Sequence, residues 1–355
     1  MLNRVTLLAL PCLLAVVPML HAAEEGKDLS KAREALTKQD NDADTEKALE
    51  QVFQAAEKNY SLLRSGDVAL NYNFDYTYYG DQVINLEIVP TLDASGNPTG
   101  ASSIRNANVN PVASHTYTNS FNLDYGLLNN LTGSFRLPFV AKYDTEEDMT
   151  AYALGDVSTS LRWQPFEYVP GAVSQTYFAS ASLKTGDSPY EIDLSKHLST
   201  GAGFYSLSLG GSYSKVLDPV VLFGSASYAY NFDAEGLNQV RGSNVLKKVS
   251  PGSSLSFSMG FAYSLSYDVS LSASFQGSYN TETRFKLLTQ EGVARRSVSN
   301  AQMSGIMNFA LGVRVSPKTI ANINVGFGMT ELSPDILLGL SLPIDLEGIK
   351  PSRRN

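Results

Sequence analysis

Between residues 66 and 345 the chain repeatedly alternates apolar with small polar residues, in twelve segments of about ten residues each. In the first, Val68, Leu70, Tyr72, Phe74, Tyr76 and Tyr78 alternate with Ala69, Asn71, Asn73, Asp75 and Thr77. Among the clearest, Tyr205, Leu207, Leu209 and Tyr213 alternate with Ser206, Ser208, Gly210 and Ser212. A period of two with one oily face describes a strand that separates an apolar medium from a wet one. In hydrocarbon no water is available to satisfy backbone N–H and C=O groups, so such a sheet must close on itself. The expected fold is therefore an all-β transmembrane barrel of about twelve antiparallel strands, apolar outside and polar within. Aromatic residues near the segment ends, such as Tyr76, Tyr78, Tyr125, Trp163, Tyr228, Tyr230 and Tyr279, suit the girdles at the two membrane surfaces.

The ends of the chain have a different grammar. Residues 1–23 carry one cation, Arg4, then an apolar run and a small-residue exit at Ala22 and Ala23, which reads as a secretory signal peptide. Residues 24–65 switch to a helical period: Leu49, Val52, Phe53, Ala56, Tyr60 and Leu63 share one face, opposite Glu46, Lys47, Glu50 and Glu57. We expect a short helical segment in the periplasm. Three roles are open to it: a plug that gates the barrel, a tether, or a short coiled coil that would make the protein a homo-oligomer. The barrel then occupies residues 66–345, with a polar tail at 346–355.

Connection lengths set the orientation. Short gaps at 126–130, 215–219, 266–268 and 316–319, with 164–174 somewhat longer, alternate with long ones at 79–114, 141–153, 185–203, 233–252 and 280–300, and only 330–334 breaks the alternation. Short turns face the periplasm and long loops the exterior, so twelve strands leave both termini in the periplasm of a Gram-negative bacterium. On this register the lumen is lined by Asn71, Asn73, Asp75, Asp124, Arg136, Arg162, Lys184, Gln276, Asn308, Arg314, Asn322 and Asn324. Both charge signs are present, so strong ion selectivity is not expected. The expected partners are outer-membrane lipid, the barrel-assembly machinery and the transported solute or polypeptide. Lipopolysaccharide phosphates would meet the basic loops at Lys247, Lys248, Arg284, Lys286, Arg295 and Arg296.

Chemistry is sparse. The net charge of −8 argues against a nucleic-acid partner. The single cysteine, Cys12, leaves with the leader, so neither a thiol nucleophile nor a Cys-ligated metal is expected. Only His115 and His197 remain beyond the leader, and no hydrolase, zinc or phosphate-loop motif is present. No catalytic residue, metal or cofactor is assigned.

Several stretches resemble known barrels. LKTGDSPYE at 183–191, LSTGAGFYSL at 198–207 and KVLDPVVLFGS at 215–225 running into YAYNF at 228–232 resemble the family named for the meta-pathway of phenol degradation. YSLLRSG at 60–66 leading into YNFDYTY at 72–78 is similar to the Fap functional-amyloid secretion channel. The resemblance implies an outer-membrane transporter or export pore with the helix as plug or coupling element. It leaves uptake of hydrophobic compounds and secretion of an unfolded polypeptide both open. A third reading of the chain is a non-conducting structural or adhesive barrel whose long loops carry the function.

Overall fold

The computed structural model describes residues 62–344, apart from 93–97 and isolated positions at 147, 168, 170, 195, 218–219, 243, 267, 290–291 and 317–318, and apart from the side chains of 81–112. The leader, five of the six positions on the helical face (Leu49, Val52, Phe53, Ala56 and Tyr60) and the polar tail lie outside the described residues. The sixth, Leu63, precedes the first strand in extended chain, so the expected helix does not run to residue 65.

Seventeen strands are described. They are β1 (Val68–Leu92), β2 (Pro98–Leu128), β3 (Leu131–Asp144), β4 (Met149–Leu154), β5 (Ser158–Trp163), β6 (Val173–Ser182), β7 (Ser206–Leu217), β8 (Val220–Asn231) and β9 (Ala234–Arg241). There follow β10 (Asn244–Ser250), β11 (Ser254–Ser264), β12 (Val269–Asn280), β13 (Thr283–Thr289), β14 (Ala294–Ser299), β15 (Gln302–Ser316), β16 (Thr319–Gly328) and β17 (Ile336–Ile344). Antiparallel pairing of each wall strand with the next, closed by β1 with β17, makes a twelve-membered ring. β4 and β5 together form its fourth member, both pairing with β3. β9, β10, β13 and β14 form a separate four-stranded sheet at the long-loop end.

The distribution of burial is the reverse of a water-soluble protein's. Among the described residues thirteen polar side chains are buried against eight apolar ones, and four of those eight belong to the small sheet. Ser120 and Thr132 are fully buried, whereas Leu209 is 59% and Met259 57% exposed. Exposed Leu, Phe, Tyr and Met side chains ring the outer face, and hydrocarbon is the medium in which that surface is stable.

Four expected loops prove to be partly strand. The 79–114 gap is a hairpin in which β1 and β2 run on to Leu92 and Pro98. The 141–153 gap holds the end of β3 and all of β4. The 233–252 and 280–300 gaps fold as the β9–β10 and β13–β14 hairpins. Strands that continue beyond the membrane keep making ladder hydrogen bonds, so nothing forces them to stop at the girdle. Only 183–205 stays irregular.

An arginine at Leu209 is expected to destabilise the barrel by about 2–4 kcal/mol if that position faces mid-bilayer lipid. The same substitution at Gln276, exposed on the concave face, should change stability little. Urea unfolding in lipid vesicles measures both.

Candidate functional site

The concave wall divides into two halves. One runs over β16, β17, β1, β2, β3 and β5 and is polar. Asn322, Ser341, Asn73 and Ser120 stand directly opposite one another on four successive strands. Ser341 Oγ donates to Asn73 Oδ1 at 2.6 Å. The amide oxygens of Asn122, Asn322 and Asn324 are buried with no hydrogen-bond partner among the described residues.

The charges of this half, Lys142 apart, are paired with one another or with Asp268. Arg162 Nη2 donates to Asp124 Oδ1 at 2.9 Å, and their side chains are 8% and 16% exposed. Asp124 also accepts from Asn71 Nδ2 at 3.2 Å and from the Ser134 hydroxyl, which in turn accepts from Arg162 at 2.9 Å. Arg136 lies 3.8 Å from Asp75, and Arg314 lies 3.7 Å from Asp268 near the short-turn end. A desolvated charge persists only when paired and hydrogen-bonded, and the Asp124 cluster meets both conditions.

The other half, over β6, β7, β8 and β11, is apolar at its base. Val221, Phe223 and Ala262 are buried together with Val216 packed against them. Phe178 is in register with Gly210, and a side chain at Gly210 would collide with its ring. These residues lie at the alternating position shared with serines such as Ser180, Ser212 and Ser225. The sequence reading missed them because it treated that position as uniformly polar. The unbroken run Val220 to Phe223 was the signal available.

The positions expected to line the lumen mostly share its face. Asn71, Asn73, Asp75, Asp124, Arg136, Arg162, Gln276, Asn308, Arg314, Asn322 and Asn324 all occupy strand positions of concave parity. Lys184 does not belong to the wall. It lies two residues past the end of β6, and its Nζ contacts Glu191 Oε1 of the same loop at 2.6 Å.

A second feature is a break in the wall. Between β4 and β5 regular strand pairing lapses at Gly155, Asp156 and Val157, where Gly155 N–H still donates to the Pro138 carbonyl and Leu183 N–H to that of Val157. The loop 183–205 repairs it. Asp156 accepts from the backbone N–H of Thr185 (3.2 Å), Gly186 (3.0 Å) and Ala202 (2.6 Å). Thr185 Oγ1 donates to the Gly155 carbonyl and accepts from Val157 N–H. Thr200 Oγ1 donates to the Leu154 carbonyl and accepts from Asp187 N–H. Gly186 and Gly201 pack backbone to backbone, and a Cβ on Gly186 would meet Gly201 Cα at 2.7 Å. The LKTGDSPYE and LSTGAGFYSL stretches thus supply the two irregular limbs that cover this break, a role the sequence reading did not assign. It passed over Asp156 entirely.

His115 Nδ1 is 2.9 Å from Tyr76 Oη inside an aromatic cluster with Tyr78 and Tyr143. The backbone N–H of His197 donates to Asp193 O in the irregular loop. Above the barrel, hydrogen bonds from Lys248 and then Ser250 hold the Asp233 carboxyl below the usual carboxylate range.

A closed twelve-stranded barrel with an apolar belt and a polar concave wall is the fold of an outer-membrane β-barrel. No known family model matches the chain. Among solved structures it is similar to the COG4313 outer membrane channel from Pseudomonas putida F1. The TM-score is 0.57 at 13% identity, over 81% of this chain and 98% of that one. The translocator domain of autotransporter NalP from Neisseria meningitidis gives 0.45 at 12% identity, over 85% and 98%. The first likeness bears on fold.

Asp124→Asn leaves Arg162 buried beside a neutral amide. We expect a loss of roughly 3–5 kcal/mol in vesicle unfolding, with Asp124→Asn/Arg162→Met recovering much of it. Asp156→Ala removes three charge-assisted hydrogen bonds, each of about 1.5–3 kcal/mol in a buried setting and less here. Limited proteolysis should show new cleavage within 183–205 while the rest of the barrel stays resistant.

Proposed function

We propose that the protein is a passive outer-membrane channel that moves solute or unfolded polypeptide through its polar lumen without covalent chemistry. Both termini lie on the periplasmic side, and the segment 24–65 is the gate. The observation that carries this reading is the pairwise neutralisation of the lumen charges. Asp124 with Arg162 and Asp75 with Arg136 leave a wall of Ser, Asn, Gln and Gly on which no ion is strongly trapped. Twelve strands also enclose more space than the eight that side chains can fill.

Gating draws support from the chain just before β1. Leu63 N–H donates to Thr132 Oγ1 at 2.9 Å, and Thr132 shares the lumen face with Arg162. The carbonyl of Arg64 packs against Gly126, where any side chain would collide with it. The fold likeness to an outer-membrane channel and the resemblance to the meta-pathway and Fap families agree with passage. Outer-membrane lipid and the barrel-assembly machinery are the partners this reading requires.

A second reading, diffusion of small hydrophobic compounds, is favoured by Val216, Val221, Phe223 and Ala262 facing the lumen.

The test is planar-bilayer conductance of the chain beside a variant lacking residues 24–61. Large, steady conductance only after deletion supports the gate. Equal conductance removes the gate and leaves an open channel. If both folded forms are silent, there is no continuous water path and the channel reading fails.

A further inference from the structure

The wall does not end at the girdle on the β8–β11–β12–β15 side. β11 pairs with β12 through Ser254↔Asn280, and β10 with β13 through Ser250↔Arg284 and Lys248↔Lys286, so the same register carries across the kink. It carries across equally from β12–β15 to β13–β14, through Asn280↔Gln302 and Lys286↔Arg296. From β8–β11 to β9–β10 it runs through Ala229↔Ser254 and Glu235↔Lys248. Because side chains alternate with a period of two, an unbroken register keeps each position on its own face. Lys248, Lys286 and Arg296 therefore share the face of Ser254, Asn280 and Gln302, which is the lumen face.

The opposite face of this small sheet is already covered. Ala234, Leu246, Val249, Phe285 and Leu287 pack with Tyr190, and Arg241 donates to the carbonyls of Pro189 and Ile192. The lumen-side face is the one left open.

Across it, Glu235, Lys248, Lys286 and Arg296 stand directly opposite one another on four adjacent strands. Lys248 is occupied, at 2.6 Å from Asp233 and 2.5 Å from Glu235. Lys286 and Arg296 form no salt bridge among the described residues. Arg284, in the next pair along, is 73% exposed and reaches Glu282 only at 4.0 Å. Like charges directly opposite on a sheet are destabilising unless an anion joins them. Lys142, on β3 diametrically across the ring from β12, also has lumen parity and no described salt bridge.

We propose that Lys286 and Arg296, with Arg284 beside them, form an admission site at the long-loop mouth for small organic oxyanions, carboxylates above all. The proposal rests on the channel reading and names the substrate class of that channel: small organic anions whose charged head the cation row receives at the mouth, while the Val221 and Phe223 patch at the short-turn end of β8 meets the apolar body only later along the path. Arginine's planar fork suits a carboxylate, and two adjacent cations share its charge. The cation row thus biases admission at the mouth, while the paired charges deeper in the lumen let the solute leave.

The probes are benzoate and its neutral counterpart benzyl alcohol, used on the full chain in detergent with saturation-transfer NMR. In Lys286→Gln/Arg296→Gln we expect benzoate binding to weaken at least about threefold, given the strength of charge-assisted hydrogen bonds at an exposed site. Benzyl alcohol should bind unchanged, and Arg295→Gln, at the opposite parity of the sheet, should behave as wild type. The double variant relieves a repulsion, so folding is expected, and heat-modifiable gel mobility verifies it. Unchanged benzoate binding in the folded double variant overturns the site. So does an equal loss in Arg295→Gln, or a loss confined to lipopolysaccharide association on native gels, which would make the row a lipid contact. Reversal potentials in a salt gradient separate the two readings. Benzoate binding with no current keeps the site and removes the channel. Current with an ion preference unaltered by the double variant keeps the channel and removes the site.

Discussion

Every part of this molecule follows from the cost of an unpaired backbone amide in hydrocarbon. A single strand in a bilayer leaves a donor and an acceptor at each residue, and each costs several kcal/mol without water. Closure of β1 on β17 removes the last edge. Once the ring is closed, the face of each residue is fixed by parity, and sequence has only to place oily side chains on one parity and small polar ones on the other.

That division moves the packing problem to the inside. A soluble protein buries Leu and Val and solvates its charges. Here Arg162, Asn73, Asn322 and Ser341 are buried while Leu209 and Met259 are not. The interior charges must satisfy one another, which is why Asp124 gathers Asn71, Ser134 and Arg162 in one cluster. The opposite half of the lumen avoids the problem by carrying Val221, Phe223 and Ala262. On the channel reading proposed above, a lumen with one wall of amides and one patch of hydrocarbon suits an amphipathic solute better than a bare ion.

The barrel was legible because its signal is periodic and repeated. Alternation in Leu207, Leu209 and Tyr213 and the change from short to long connections both come from the same geometry. The shared parity of Asp124, Arg162 and Asn324 was readable from the alternation alone. Three things did not follow. The hairpins at 234–250 and 283–299 carry Lys and Arg where a membrane strand would carry Ser and Gly, so they resemble loops although they pair as strands. Phe223 sits at a position whose neighbours along the strand are serine and valine, and a binary pattern does not register one exception. Lys184 continues the alternation of β6 by sequence, but the strand has already ended.

Asp156 marks where the closure rule is broken and repaired. At Gly155 to Val157 the fourth wall strand gives up its ladder, and β4 continues with β3 on one side only. In an aqueous protein such an edge would be left to water. Here the vacated backbone groups are met by the hydroxyls of Thr185 and Thr200, and the loop's own N–H groups by the Asp156 carboxylate. A threonine can donate to one backbone carbonyl while accepting from another amide, so two threonines do the work of a missing stretch of strand. The glycines at 186 and 201 are needed because the two limbs of the loop must approach closer than any Cβ allows. The motif Lys184-Thr-Gly-Asp187, which looks like half of a phosphate-binding loop, is thus explained by backbone accounting. It is a patch for a gap in the strand pairing, and it ties the irregular loop to a place in the ring where strand pairing alone does not hold the barrel shut.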